Sequence, residues 1–206
     1  MTEVSAKVSW ATPGDAAAVA ARIEAELRKP GAKRFAFTGG STPAKVLALL
    51  HERNLDWSGV TIALTDDRCV PDDHPASNFA KIKAALDGTA VTFERLIEGA
   101  PVAPFDLVWL GMGNDGHTSS LFPTMKALIR PGPTVIATTP VPLPEEAPFD
   151  RLTLNFRALK ATRAIILVVT GAGKRALIEQ ALAGVEMPIG EILLGDGPPV
   201  TIYWSE

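Results

Sequence analysis

The sequence predicts an α/β fold, a mostly parallel sheet with helices on both faces and a small antiparallel excursion around residues 134–156. Three observations carry this expectation. Short apolar runs at 34–37, 60–64, 105–110 and 164–170 read as strands buried on both faces. Helix-periodic stretches alternate with them, at 15–29, 43–53, 78–86 and from Lys174 to near Gly184. Polar loops follow the strands at 38–42, 65–78, 111–117 and 170–174, and in a parallel sheet all four open on the same edge.

Each element has its own reason. Residues 15–29, DAAAVAARIEAELRK, are alanine-rich; Asp15 stands near the N-terminus of this helix and Pro30-Gly31 stops it. After the strand at 34–37, Thr42 suits a helix cap and Pro43 a first turn, so the second helix is expected from Pro43 to about Arg53. The strand at 60–64 enters the long polar loop 65–78, and a short helix follows at 78–86. Residues 87–104 read as irregular, with Glu94, Arg95 and Glu98 on the surface. The strand at 105–110 feeds GMGNDGHTSSLFP at 111–123, where Thr118 or Ser119 suits the cap of a short helix. Beyond it lie PGP at 131–133 and PVPLPEEAP at 140–148; between them 134–138 reads as a strand, with 151–156 as its antiparallel partner. AIILVVT at 164–170 is β-branched and buried, Lys174 opens a helix after Gly171-Ala172-Gly173, and 200–204 is a last strand. The chain is expected to form one Rossmann-like domain over residues 1–206.

Composition narrows the function. A hydrophobic share of 47% and a charged share of 21% point away from disorder. A formal net charge of −3 disfavours nucleic-acid binding by bulk electrostatics, so an anionic substrate has to be held by a few local cations. The single cysteine, Cys69, precludes an intramolecular disulfide and fits a reducing, cytoplasmic compartment. No basic-then-apolar leader opens the sequence, and no uncharged apolar run approaches ~18 residues, so no membrane association is expected.

The strand-end loops carry the chemistry. Thr38-Gly39-Gly40-Ser41-Thr42 combines two glycines and three hydroxyls at a helix N-terminus, which suits an anion; it equally suits a tight βα turn. It is neither a G-x-G-x-x-G fingerprint nor a G-x-x-x-x-G-K-[ST] loop. Arg68, just past a strand, can clamp a phosphate or pair with Asp66, Asp67 or Asp72. Those aspartates, with Asp73, match no calcium loop, and His74 reads as a solvated loop residue. Lys174, at a helix start, reads either as a phosphate-binding ammonium or as a surface lysine. His117 with Asp115 reads as a catalytic base with an orienting carboxylate; Asp115 can instead bond backbone N–H groups and shape the loop. No G-x-S-x-G elbow supports a serine hydrolase, a third zinc ligand at diagnostic spacing is missing, and Cys69 reads as a packed thiol.

Four motifs in order then resemble those of the 6-phosphogluconolactonases, within the group that includes glucosamine-6-phosphate deaminases. They are FTGGSTP at 37–43, DDRCVP at 66–71 with SN at 77–78, GMGNDGHTSSLFP at 111–123, and RLTLNF at 151–156 followed by VVTGAGK at 168–174. The resemblance implies hydrolysis of 6-phospho-D-glucono-1,5-lactone to 6-phosphogluconate, the second step of the oxidative pentose phosphate pathway, without a cofactor or metal. It implies His117 as the base that activates water and Asp115 as its support. Arg68 and Lys174 would bind the phosphate, helped by Gly39, Gly40, Ser41 and Thr42, and backbone N–H groups of the glycine loops would stabilise the oxyanion. The partner implied is a phosphorylated sugar lactone, and the assembly a monomer or small homo-oligomer. The deaminase relatives look different in two loops, DEY and GHIAFNEP, whose glutamate five residues after the histidine serves ring opening. Here that position is Phe122, and Arg68 replaces the tyrosine. A non-catalytic sugar-phosphate sensor is the reading from another class. The lactonase loop usually reads DER, whereas this chain has Asp66-Asp67-Arg68.

Overall fold

A computed structural model describes residues 7–125, 134–145 and 147–206, without the side chain of Ser41. The expected leader-free start and the PGP segment at 131–133 lie outside the described residues. The elements run β1 (Val8–Trp10), α1 (Ala16–Leu27), β2 (Lys33–Phe37), α2 (Ser41–His51), β3 (Val60–Leu64), β4 (Asp66–Arg68), α3 (Asn78–Ala85) and β5 (Thr92–Glu94). They continue with β6 (Leu107–Leu110), β7 (Val135–Thr138), β8 (Arg151–Leu154), α4 (Phe156–Lys160), β9 (Ile165–Thr170), α5 (Ala172–Leu182), α6 (Gly190–Leu193) and β10 (Val200–Ser205).

Seven strands form one parallel sheet in the order β1-β10-β9-β6-β2-β3-β5. Successive residues of a strand face opposite sides, so the strands feed two cores at once. Leu107 and Trp109 of β6 pack with Phe35 and Phe37 against Ile23 of α1, Leu47 and Leu50 of α2 and Ile82 of α3. Val108 and Leu110 pack on the other face with Ile165 and Leu167 against Ile178 of α5, Ile192 of α6 and Ala158 of α4. Trp109 and Phe37, both fully buried, meet edge to face at 5.5 Å between ring centroids. Each large side chain so buried contributes roughly 1.5–3 kcal/mol, which is why these runs are unbroken by polar residues.

The antiparallel excursion is present and larger than expected. β7 and β8 pair as anticipated, but β4 joins them in the order β4-β8-β7. Asp66, Asp67 and Arg68 thus form a strand within the stretch read as loop, because Arg151, Leu152 and Thr153 of β8 offer them a ladder. β1, β5, α4 and α6 are further additions to the expected elements. Asp15 caps α1 by accepting from the Ala18 N–H at 2.9 Å. Thr42 is not the cap: α2 starts two residues earlier than expected, at Ser41, with Gly40 in the cap position. No helix starts at Thr118 or Ser119; Thr118 bridges to Leu121 instead. Glu94 and Arg95 are exposed as expected, but tied down, to Arg34 and Asp72 respectively. None of the described helices is long and apolar enough to cross a membrane.

Candidate active site

Because β9, β6, β2 and β3 are parallel neighbours, their following loops gather at one edge of the sheet. There they enclose a cavity of about 420 Å³. Gly39, Gly40, Thr42, Arg68, His117 and Lys174 all line it, so residues from all four predicted loops do converge. Ser41 opens α2 at the same place; its side chain lies outside the described residues.

The histidine loop is shaped from within. The Gly113 N–H donates to the His117 carbonyl at 2.9 Å and the Gly116 N–H to the Gly113 carbonyl at 3.2 Å. Gly116 has φ +78°, a conformation that favours glycine. Both sequence alternatives for Asp115 are realised together: one oxygen, Oδ1, lies 2.6 Å from His117 Nδ1 and accepts from the His117 backbone N–H at 3.1 Å. Partial burial pushes the Asp115 carboxyl up, but the His117 backbone N–H and the His117 ring outweigh it and hold it below the usual carboxylate range. An ionised carboxylate only accepts, so Nδ1 carries the proton of that bond, and in the neutral ring the lone pair is on Nε2. Phe122 lies on the ring at 4.6 Å between centroids.

The small sheet rivets this loop in place. Ser120 Oγ donates to Asp66 Oδ2 at 2.7 Å, the Ser120 N–H to Thr153 Oγ1 at 3.3 Å, and Thr138 Oγ1 to the Ser120 carbonyl at 3.3 Å. The loop three residues past His117 is thereby joined to β4, β8 and β7.

Arg68 does not form the ion pair with Asp66, Asp67 or Asp72 that one of its readings offered. Its Nη1 donates to the Ala76 carbonyl at 2.8 Å and to Asn78 Oδ1 at 2.6 Å, and among the described residues it makes no ion pair. Asp67 is committed to backbone: it accepts from the N–H groups of Arg68, Asn78 and Phe79 at 2.8, 2.7 and 3.1 Å, which anchors the start of α3. Asp72 pairs with Arg95. His74 is half-buried rather than solvated, accepting at Nδ1 from the Ala76 N–H at 3.0 Å and meeting Phe149 edge to face. Gly39 makes room for this arrangement, since a Cβ there would stand 2.0–2.4 Å from the Asn78 side chain. Cys69 is exposed rather than packed; partial burial of the thiol, then the charges of Asp150, Asp67 and Glu98, still push it up, away from a nucleophilic thiolate.

Two helix N-termini open onto the cavity. α1, α3 and α4 are capped by the side chains of Asp15, Ser77 and Asn155, whereas α2 and α5 begin at Gly40 and Gly171 with no side-chain cap. Their first-turn N–H groups are free to hold an anion. Lys174, half-buried in the first turn of α5, makes no ion pair with a described residue. The chain's last strand braces that turn: the Gly171 N–H donates to the Ser205 carbonyl at 2.8 Å and Trp204 Nε1 to the Gly171 carbonyl at 3.0 Å.

Four further cavity residues escaped sequence reasoning: Asp66, Asn78, Ser119 and Arg151. Arg151 is 6% exposed and stands directly opposite Arg68 in the β4–β8 register. Burial first, and the Arg68 charge second, lower its pKa; Asp66 and Asp67 offset this in part. The RLTLNF motif contains it, but only the pairing of β4 with β8 reveals its neighbour.

A parallel α/β sheet with an oriented histidine, three cations and two uncapped helices around one strand-end cavity defines a protein for small anionic ligands. The family model for glucosamine-6-phosphate isomerases/6-phosphogluconolactonase matches residues 14–95 and 84–202. The 6-phosphogluconolactonase of Rhizobium meliloti is 35% identical over 213 residues, covering 91% of this chain and 90% of its own. That of Pseudomonas aeruginosa is 33% identical, covering 93% and 89%. The crystal structure of a 6-phosphogluconolactonase from Shewanella baltica superposes with a TM-score of 0.81 at 32% identity over 97% of both chains. A monomeric glucosamine-6-phosphate deaminase shares the fold, with a TM-score of 0.77 at 18% identity over 97% of both chains. The chain belongs to the glucosamine-6-phosphate isomerase/6-phosphogluconolactonase family.

Proposed function

We propose that this protein hydrolyses 6-phospho-D-glucono-1,5-lactone to 6-phosphogluconate in the cytoplasm. The observation that carries the reading is the Asp115–His117 pair, 2.6 Å apart, with His117 on a cavity that Arg68, Arg151 and Lys174 also line. The phosphate is held by Lys174 and by the free N–H groups at the starts of α2, from Gly39 to Thr42, and of α5. Arg68 binds substrate from the β4 side. His117 Nε2 takes a proton from water as the water oxygen bonds to the lactone carbonyl carbon. Collapse of the tetrahedral intermediate breaks the bond from that carbon to the ring oxygen. The imidazolium returns its proton to the ring oxygen, which becomes a hydroxyl, and the acid formed loses its own proton to solvent. Asp115 fixes the tautomer throughout and stabilises the imidazolium in between.

Phe122 on the ring favours this over ring-opening deamination, since a phenyl group relays no proton. The test is hydrolysis of freshly generated lactone, with spontaneous opening subtracted, beside ammonia release from glucosamine 6-phosphate. Turnover of the lactone alone is expected, and His117→Ala should fold normally and lose about 10²–10⁴-fold in kcat. Ammonia release, or near-native lactone turnover in His117→Ala, refutes the reading.

A further inference from the structure

Asp115 Oδ1 and His117 Nδ1 meet across a single residue, Gly116. The backbone angles of that glycine therefore set the geometry of the bond, and its φ of +78° is one that a residue with a side chain adopts only at a cost. The segment 183–189, between α5 and α6, packs on this glycine. The Ile189 N–H donates to the Gly116 carbonyl at 3.0 Å. The Met187 side chain lies over the glycine: a Cβ on Gly116 would stand 2.9 Å from Met187 Sδ, 3.0 Å from its Cβ and 3.2 Å from its Cγ. Gly116 is thus required twice, by its own φ and by the methionine that fills the space a side chain would take.

The segment is itself anchored. Ile189, Ile192 and Leu193 are fully buried, and Met187 packs against the core they belong to, whereas its neighbours Val185 and Glu186 are exposed. Met187 is not among the residues lining the cavity, so its influence on the chemistry passes through the loop. Ser120 ties that loop after His117, and this contact holds it before His117. An unbranched thioether suits such a slot, because it bends to fill an irregular gap.

We infer that Met187 is a positioning residue for the proposed base: seated on Gly116, it keeps Asp115 and His117 in register and so keeps the ring proton on Nδ1. The kinetic consequence rests on the lactonase reading; the tautomer does not.

The test reads both. Met187→Ala should lower kcat on fresh lactone by about 10-fold or more with KM unchanged, since a misplacement of about 1 Å costs about 10²-fold. Met187→Leu, close in volume, should restore kcat. In ¹⁵N spectra of the ring nitrogens at neutral pH, with the His117→Ala spectrum separating His117 from His51 and His74, the wild type should show the proton on Nδ1. Met187→Ala should shift the ring towards a mixture of tautomers and Met187→Leu should reverse the shift. Met187→Val removes less of the side chain and should show the same losses in lesser degree, which serves if the alanine variant does not fold. An unmoved tautomer in the truncated variants overturns the inference, and so does native kcat in a protein whose wild type turns over lactone. A loss that Met187→Leu leaves unrepaired also overturns it, because the side chain would then act other than by filling this slot. A wild type that opens no lactone, in which Met187→Ala still shifts the tautomer, keeps the inference and sinks the lactonase reading.

Discussion

Gly113→Ala isolates the positioning of the base. A Cβ at Gly113 would stand 2.2 Å from His117 Cε1 and Nδ1 and 2.9 Å from Asp115 Oδ1. Non-bonded carbons settle at roughly 3.5–4.0 Å, so the ring has to move by about an ångström or more. The backbone gives no competing explanation, since Gly113 is not among the residues with positive φ. The ring cannot move alone, because its Nδ1 is held at 2.6 Å by Asp115 and its face by Phe122. A misplacement of that size costs about 10²-fold in rate, or roughly 2.7 kcal/mol of transition-state stabilisation. The proposed phosphate ligands on the β2 and β9 loops are untouched, so KM should hold while kcat falls. The measurement is steady-state hydrolysis of fresh lactone with a thermal melt as a control for folding. His117→Ala with Gly113→Ala should be no slower than His117→Ala alone, because both remove one function. A Gly113→Ala enzyme with native kcat and native melting refutes the reasoning, since the loop would then tolerate a displaced ring.

Three further outcomes follow from the same geometry. Gly39→Ala puts a Cβ inside the Asn78 side chain and takes the Oδ1 acceptor from Arg68; a loss of about 1–3 kcal/mol in urea melts and a raised KM are expected. Asp67→Ala leaves the N–H groups of Asn78 and Phe79 without their carboxylate, and denaturation should show a loss of about 1 kcal/mol with weaker amide protection at the start of α3. The Asp115 carboxyl is held below its usual range, so its bond to His117 contributes order above the ordinary carboxylate pKa and loses it as pH falls through the lowered one; amide exchange across 113–117, corrected for its intrinsic pH dependence, should therefore rise only at pH below the ordinary carboxylate range, and a rise nearer neutrality contradicts the assignment.

The strands of the large sheet were legible because burial on both faces leaves unbroken apolar runs, as in Leu107–Leu110 and Ile165–Thr170. The convergence of Gly39, His117 and Lys174 followed from parallel topology, whereas Arg68 follows β3 but stands on β4 in the antiparallel sheet. What was not legible depends on pairing between distant segments. Asp66–Arg68 has no apolar signal, and becomes a strand only because β8 lies beside it. Arg151 reads as an ordinary strand residue until its register places it against Arg68. Asp67 reads as part of an acidic cluster, yet it anchors a helix that begins after an intervening loop. Thr42 was misread as a cap because hydroxyls favour that role, whereas a glycine at Gly40, φ +112°, leaves the α2 N–H groups unengaged.

The small sheet gives these separate facts a common cause. The His117 loop, shaped by its own hydrogen bonds at Gly113 and Gly116, is also tied to its neighbours by Ser120, which bonds β4 through Asp66 and β8 through Thr153. The two strands so engaged are the ones that carry Arg68 and Arg151. One hydrogen-bonded unit therefore joins the proposed base to the cationic wall, while the loops proposed to hold phosphate follow separate strands of the large sheet. In an acyl transfer the spacing that has to be constant is that between the base and the charge developing on the carbonyl oxygen, because that charge exists only in the transition state. The phosphate end needs affinity but tolerates movement. Phe122 fits the same division: it confines the His117 ring without adding a group that would compete for the proton the proposed step returns to the ring oxygen. A glutamate there, as in the deaminase relatives, would place a second carboxylate beside Asp115 and draw the imidazolium proton away from the departing ring oxygen.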